Sequence, residues 1–410
     1  MTKLTAAQVR QEYPVLDKYT FLDCAYKGPY PVRSVRAMHK FIEDRHLGIL
    51  PDGRLDGRPE RFESTRGKIA QLWGVSPDEV WFPQSTNQGL LTVANLLLKP
   101  GDEILVGGLD HPSNYASWAH LANRGVKVTV VPHREGRMEV SDIEAAIGPR
   151  TRAIGMCMVA TYNGFRVDVD ALSDLAGRRE LFLLLDGIQG VGHLDIDLSS
   201  GNVTCLAAGV FKWLCTPEGT GVCYVNRKVL ENARPDIIYY FGIEFSPQDG
   251  WPNVIDQVFA WGHEGAGPQP LSPDNIRYLP NARVLESSAT MLSLAALDSM
   301  ADMMIEFGGM PAIERRVLGL SAHLKASLLE RGHALNSETE PSHQSGITSV
   351  KVPDAQEFAA FCEARNIWVL AQKAVMPDTD AVRVATHFFN NEDDIEVFVN
   401  AMDEFRTTRL

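Results

Sequence analysis

The sequence predicts an α/β protein with a large, doubly wound, mainly parallel sheet domain and a smaller C-terminal α+β domain. Three observations carry this. From residue 80 to about 230, short apolar runs alternate with amphipathic stretches of helical length, the pattern of crossover units on a buried parallel sheet. The 410 residues exceed one ordinary domain. Beyond residue 283 the rhythm changes to two long helices, three probable strands and a closing helix.

Composition supports a folded chain. A 45% hydrophobic content with 22% charged residues suits a large buried core and excludes a disordered protein. Asp and Glu number 52 against 39 Lys and Arg, a formal charge of −13 with no dense basic run, so no nucleic-acid partner is expected. No apolar run reaches the roughly 18 to 20 residues that span a bilayer, so no membrane partner is expected. The polar N-terminus lacks a leader-like apolar core. Six cysteines (Cys24, Cys157, Cys205, Cys215, Cys223, Cys362) lie scattered without a CxxC pair. They read as buried free thiols in a reducing cytoplasm, with no metal site.

The elements follow in order. Residues 1–20 form an N-terminal arm with a short helix opened by Thr5 and stopped near Pro14, expected to pack on the small domain. The extended segment YTFLDCAYKGPYP opens the large domain, 21–282. Helices are expected over Val32–Leu47 and up to Trp73. The alternating stretch comes next, from VWFPQ through EILVGG, VKVTVVP, TRAIGMCMV and LFLLLDG to the CLAAG and GVCYV pair. Residues 237–280 break the rhythm with aromatics, glycine and proline; a stretch of that kind is usually functional or contacts a partner. The small domain, 283–410, carries strands at ITSVKVP, IWVLAQ and AVRVAT and ends in NNEDDIEVFVNAMDEF, capped by Asn390 or Asn391.

Four places carry chemistry. In LFLLLDGIQGVG, Asp186 ends a buried strand, where open α/β sheets place ligands, and Gln189 follows at a spacing that aims both into one crevice. A carboxylate there needs a cation or hydrogen bonds, and a protonated heterocycle would serve; a helix N-cap is the plain alternative. In CLAAGVFKWLC, Lys212 sits among apolar residues, which favours the neutral amine and suits Schiff-base chemistry, although a snorkelling lysine at a hairpin edge fits the same pattern. Ser85, Thr86 and Asn87 open a helix after a strand, an anion site or a simple cap. His111 lies just past another strand.

Taken together, the Ser/Thr-rich turn, the His after a strand, Asp-x-x-Gln and the apolar-flanked Lys resemble the class V (cysteine desulfurase-like) branch of fold-type I pyridoxal phosphate enzymes. The resemblance runs from YTFLDCAYKGPYP to VRVATHFFNNEDDI. It implies pyridoxal 5′-phosphate as cofactor, held covalently by Lys212, which then moves protons. Asp186 would pair with the ring nitrogen, Gln189 with the phenolic oxygen, and His111 would stack on the ring. Thr86, Asn87 and Ser85 would serve the phosphate, and Arg383 the substrate carboxylate.

Three departures from the family stand out. Phe211 and Gly209 replace a usual His and Ser, so the phosphate cup needs other donors, with Ser287, Ser288 or Thr290 of a neighbouring subunit as candidates. The stretch VLAQKAVMPDTDAVR lacks the desulfurases' reactive cysteine, so persulfide-forming activity is not expected. Thr161 replaces an Asn of the substrate region, with Asn163 two residues on; either could contact the substrate, as could Tyr26. Within the insert, Tyr239, Tyr240, Phe241, Trp261, His263 and Glu264 could line a pocket or pack a dimer. The expectation is a cytoplasmic homodimer sharing active sites across its interface and acting, like a class V aminotransferase, on a small amino acid. The alternatives are a β-eliminating C–S lyase on a cysteine conjugate, an epimerase or decarboxylation-linked deaminase, and a cofactor-binding regulatory protein without catalysis.

Overall fold

In the computed structural model, residues 3–48, 58–199, 201–236, 242–245, 276–286, 290–373 and 380–408 are described. Most of the aromatic insert (including Tyr239, Tyr240, Phe241, Trp261, His263 and Glu264), Ser287, Ser288 and the loop 374–379 lie outside them.

The chain enters through α1 (Ala6–Gln11), which Thr5 opens with a capping box to Gln8, and β1 (Thr20–Phe21). Helices α2 (Val32–Leu47) and α3 (Arg58–Trp73) follow, α2 ending at Gly48 in the left-handed region that glycine favours. The central sheet is built from β2 (Val80–Trp81), β3 (Glu103–Gly107), β4 (Lys127–Val131), β5 (Thr151–Cys157), β6 (Phe182–Asp186), β7 (Val203–Gly209) and β8 (Gly221–Val225). Its order is β2-β8-β7-β6-β5-β3-β4, parallel from β4 to β7 and antiparallel at β8 and β2. The crossovers are α4 (Thr86–Leu97), α5 (Pro112–Asn123), α6 (Val140–Ala146) and α7 (Val169–Arg178). Strands β3, β6, β7 and β8 are buried along nearly their whole length, which explains why they read as unbroken apolar runs. Two apolar layers cover the sheet, one centred on Leu183, Leu185 and Leu206, the other on Trp81, Trp118 and Leu184.

Strands β9 (Ile243–Phe245) and β10 (Ile276–Tyr278) form an antiparallel pair. The helix Met291–Phe307 packs against α2 and α3, so the large domain's core continues past residue 283. The C-terminal layer is a three-stranded antiparallel sheet, β11 (Ile347–Lys351), β14 (Asp380–Ala385) and β13 (Leu370–Lys373), in the order β11-β14-β13. The expected strand IWVLAQ divides in two: β12 (Ile367–Trp368) pairs in parallel with β1, and β13 joins the sheet. Leu22 therefore belongs to the C-terminal core, and Arg10 donates to Asp394 at 2.7 Å, whereas Val9, Tyr13 and Leu16 of the arm pack in the core that holds Leu294 and Met300. Asn391 caps the closing helix, Glu392–Thr407, in a box completed by Asp394.

Candidate active site

Strand β3 leads outward to β4, whereas β5, β6 and β7 lie on its other side, so the sheet's winding reverses between β3 and β5. Ligands of such sheets bind at the carboxyl ends of the strands beside that reversal. A cavity of about 280 Å³ opens there. Of the residues read from the sequence, Lys212, Asp186, Gln189 and His111 line it, together with Ser85, Thr86, Asn87 and Thr161. Phe211, Ile188 and Cys157 complete much of the wall.

Asp186 forms one end. Its Oδ1 accepts from Ile188 N at 2.9 Å and its Oδ2 from Asn114 Nδ2 at 2.8 Å. Burial pushes its pKa up, and those two donors oppose the shift. Lys212 Nζ makes no hydrogen bond or ion pair among the described residues. Burial lowers its pKa to about 8, with help from the Arg383 charge and against Asp186 and Asp23. His111 is the N-cap of α5, its Nδ1 accepting from Ser113 N at 3.2 Å. Burial and the charges of Lys212 and Arg383 lower its pKa, so it is neutral at pH 7. Gln189 ties three segments together: its Nε2 donates to Ala25 O and to Thr161 Oγ1, both at 2.9 Å, and its Oε1 accepts from Trp213 Nε1 at 2.8 Å.

The other end is the N-terminus of α4. Ser85 caps it by accepting from Gln88 N at 3.2 Å, and Asn87 Nδ2 donates to Ser113 O at 2.7 Å, joining α4 to α5. Thr86 Oγ1 accepts from Gly209 N at 2.9 Å, which leaves its own proton to donate. The two departures at Gly209 and Phe211 are packing partners. A Cβ at residue 209 would lie 3.0 Å from Phe211 Cε1 and 3.3 Å from Ile188 Cδ1, so a side chain there would press against the ring, which would have to give by a few tenths of an ångström. Thr290 is not in the cavity wall; its hydroxyl donates to Gly219 O at 3.2 Å.

Arg383, on β14, is buried. Its Nη1 donates to Thr161 Oγ1 at 2.9 Å, its Nη2 lies 3.3 Å from Asp23 Oδ1, and its Nε has no partner. Asp23, which sequence reasoning did not single out, is buried too. Desolvation lifts its pKa to about 6 even beside that guanidinium. Asn163 spends its amide on Gly136 O and Phe165 N, away from the cavity wall, and Tyr26 is 56% exposed. Cys24, Cys215 and His387 meet beneath the lysine loop, their ligand-type atoms within 4.8 Å of one another, a cluster that the scattered cysteines did not foretell.

The sequence profile of the Aminotransferase class-V family matches residues 58–239. That match, together with relatives named as aminotransferases and cysteine desulfurases, supports a class V PLP-dependent family. It is 24% identical over 399 residues to an uncharacterized aminotransferase, YcbU, of Bacillus subtilis, covering 97% of this chain and 96% of that one. It is 25% identical over 393 residues to isopenicillin N epimerase of Streptomyces clavuligerus, with 92% of each covered. Among solved structures, the apo cysteine desulfurase of Thermococcus onnurineus shares the fold, with a TM-score of 0.81, 21% identity and 99% of each chain covered.

These similarities support an enzyme with pyridoxal 5′-phosphate as its cofactor. The residues present fit that group. Asp186 is a buried carboxylate that makes no ion pair among the described residues, and a cationic ring nitrogen would supply one. Lys212 offers an unpartnered amine in the same cavity, partly neutral near pH 8. The α4 N-terminus, with Thr86 beside it, suits a phosphate dianion.

Proposed function

We propose that this enzyme works at the α-carbon of a small amino acid in the manner of class V aminotransferases, without persulfide chemistry. The observation that carries the reading is the convergence of Lys212, Asp186 and Arg383: the first two line one cavity, and the charges of Asp186 and Arg383 both act on the Lys212 amine. When bound, the cofactor supplies an aldehyde for an amine and a ring that accepts electrons from a bond at the α-carbon. Lys212 would carry the covalent attachment and, once released, move a proton at the α-carbon. Asp186 would hold a proton on the ring nitrogen. His111, neutral at pH 7, would lie against the ring without competing for that proton. Arg383 would take the substrate carboxylate, using the unpartnered Nε and exchanging its 3.3 Å contact with Asp23. Thr161 and Gln189 keep that guanidinium in register, since Thr161 Oγ1 accepts from both.

Against persulfide formation stands the placement of the thiols. All six cysteines are buried. Cys157 alone lines the cavity, and burial beside Asp110 and Asp186 pushes its thiol well above the ordinary range. We read the protein as a cytoplasmic homodimer, with Ser288 and Thr290 serving the partner's phosphate site.

The test is a panel of amino acids and cysteine conjugates offered to the holoenzyme, followed for keto acid, ammonia, sulfide and CO₂. Keto acid formed in step with amine transfer supports the reading, and sulfide release from free cysteine overturns it. Epimerisation is a second reading, favoured by the similarity to isopenicillin N epimerase across 92% of both chains. Solvent deuterium entering the α-carbon of recovered substrate, with inversion and no keto acid, would select it.

A further inference from the structure

Two buried carboxyls, not one, lie at the ring end of the cavity. Asp110 follows β3 and is 2% exposed. Its Oδ1 accepts from Cys157 N at 2.8 Å, and its Oδ2 lies 3.3 Å from Asn114 Nδ2, the same nitrogen that donates to Asp186 Oδ2 at 2.8 Å. One amide therefore bridges both acids. Asn114 is wholly buried, and its Oδ1 has no partner. The site makes room for the second acid: a Cβ at Gly107 would sit 2.9 Å from Asp110 Oδ1. Beyond the Asn114 bond to Asp186 and the effect of Asp110 on the Cys157 thiol, the roles assigned above leave these two residues unused.

We propose that Asp110 is a positioning residue: acting through Asn114, it fixes the orientation and electrostatic setting of Asp186, and so how firmly the cofactor's ring nitrogen keeps its proton. The inference rests on the reading of Asp186 as that nitrogen's partner. Burial and the charge of Asp186 push Asp110 up to about 7, so near neutrality Asp110 divides between its acid and its anion. The groups that face it are Asp186, the Cys157 thiol held protonated by burial, and Tyr115, whose hydroxyl donates to Gly107 O at 2.8 Å. No cation makes an ion pair with it among the described residues. Burial and mutual repulsion thus set Asp110 and Asp186 against carrying two negative charges at once, and a cationic ring nitrogen beside Asp186 favours ionisation of Asp110. That second negative charge, relayed by the shared amide, then strengthens the ring nitrogen's hold on its proton.

The test uses holoenzyme carrying cofactor labelled with ¹⁵N at the ring nitrogen, whose resonance reports protonation directly, titrated with pH. Asp110→Asn keeps an acceptor for Cys157 N but removes the charge, and Asn114→Ala leaves both acids and removes the link. Both variants are expected to lose the ring proton about one pH unit lower than the parent, a tenfold weaker hold. Titrations of both that superimpose on the parent, while Asp186→Asn shifts, overturn the inference. If Asp186→Asn leaves the resonance unmoved, the reading of Asp186 itself is what fails. Should one variant not fold, judged by its aromatic circular dichroism, the other decides the matter alone.

Discussion

The two ends of the cavity are built on different principles. At the Asp186 end, specificity comes from buried side chains: Asn114 is shared between two acids, and Ile188 N and Cys157 N fix one oxygen on each. At the α4 end it comes mostly from backbone, with Ser85 and Thr86 as modest hydroxyl partners and the Phe211 ring beside Gly209. The contrast teaches where chemistry is exacting. A proton on a heterocycle depends on the charge and aim of particular carboxylates, whereas a dianion is held by any cluster of amides at a helix start.

Substitutions can break or sharpen that contrast. Lys212→Ala should have the largest effect, losing the borohydride-reducible attachment and roughly a thousandfold or more in kcat. At the ring end, Asp186→Asn should cut kcat by about a hundred- to a thousandfold while cofactor Kd changes far less. Arg383→Lys keeps a cation for Asp23 but not the fork. It should raise KM for carboxylate substrates by about tenfold or more and leave cofactor affinity nearly unchanged, as steady-state kinetics and fluorescence titration would check. A comparable loss of cofactor affinity would place Arg383 elsewhere in the mechanism. At the other end, Thr86→Val should weaken cofactor binding by up to about tenfold, with kcat near the parent's at saturating cofactor. If Thr86→Val instead lowered kcat at saturation, the division between the two ends would fail.

The acids also carry a pH signature in the apoprotein. The folded-state pKa of Asp110, about 7, exceeds the unfolded value of about 3.9, so the native state binds the extra proton. Its contribution to stability is full below the unfolded pKa and is lost as pH rises towards 7, with a slope of at most about 1.4 kcal/mol per pH unit. Urea denaturation of Asp110→Asn from pH 4 to 7 should therefore show a flatter profile than the parent's.

Much of this site was legible because strand ends concentrate it. A buried apolar run announces its own terminus, so Asp186 and the apolar-flanked Lys212 could be placed from local pattern, and Thr86 from the helix start. Asp23 was not legible: its partner is Arg383, 360 residues away, and the N-terminal segment is brought there by the parallel bridge of Asp23 with Ala385 on β14 as well as by the pairing of β1 with β12. Asp110 and Asn114 were nearer to hand. They stand four apart across the N-cap of α5, a spacing that puts two polar groups on one side, but next to His111 they read as ordinary capping residues. Asn163 shows the converse: its amide donates to Gly136 O, 27 residues back in the chain, and accepts from Phe165 N, a pairing no local pattern announces. The split of IWVLAQ was likewise invisible, because its first half is a strand only by virtue of β1.

Gly209 and Phe211 have a consequence for how this pocket could change over time. Because a side chain at 209 would press against the ring, the two positions are not independent sites for substitution. A hydroxymethyl at 209 would be admitted only if the Phe211 ring gave way by a few tenths of an ångström. A lineage moving between the two forms of this pocket would therefore have to settle both positions together.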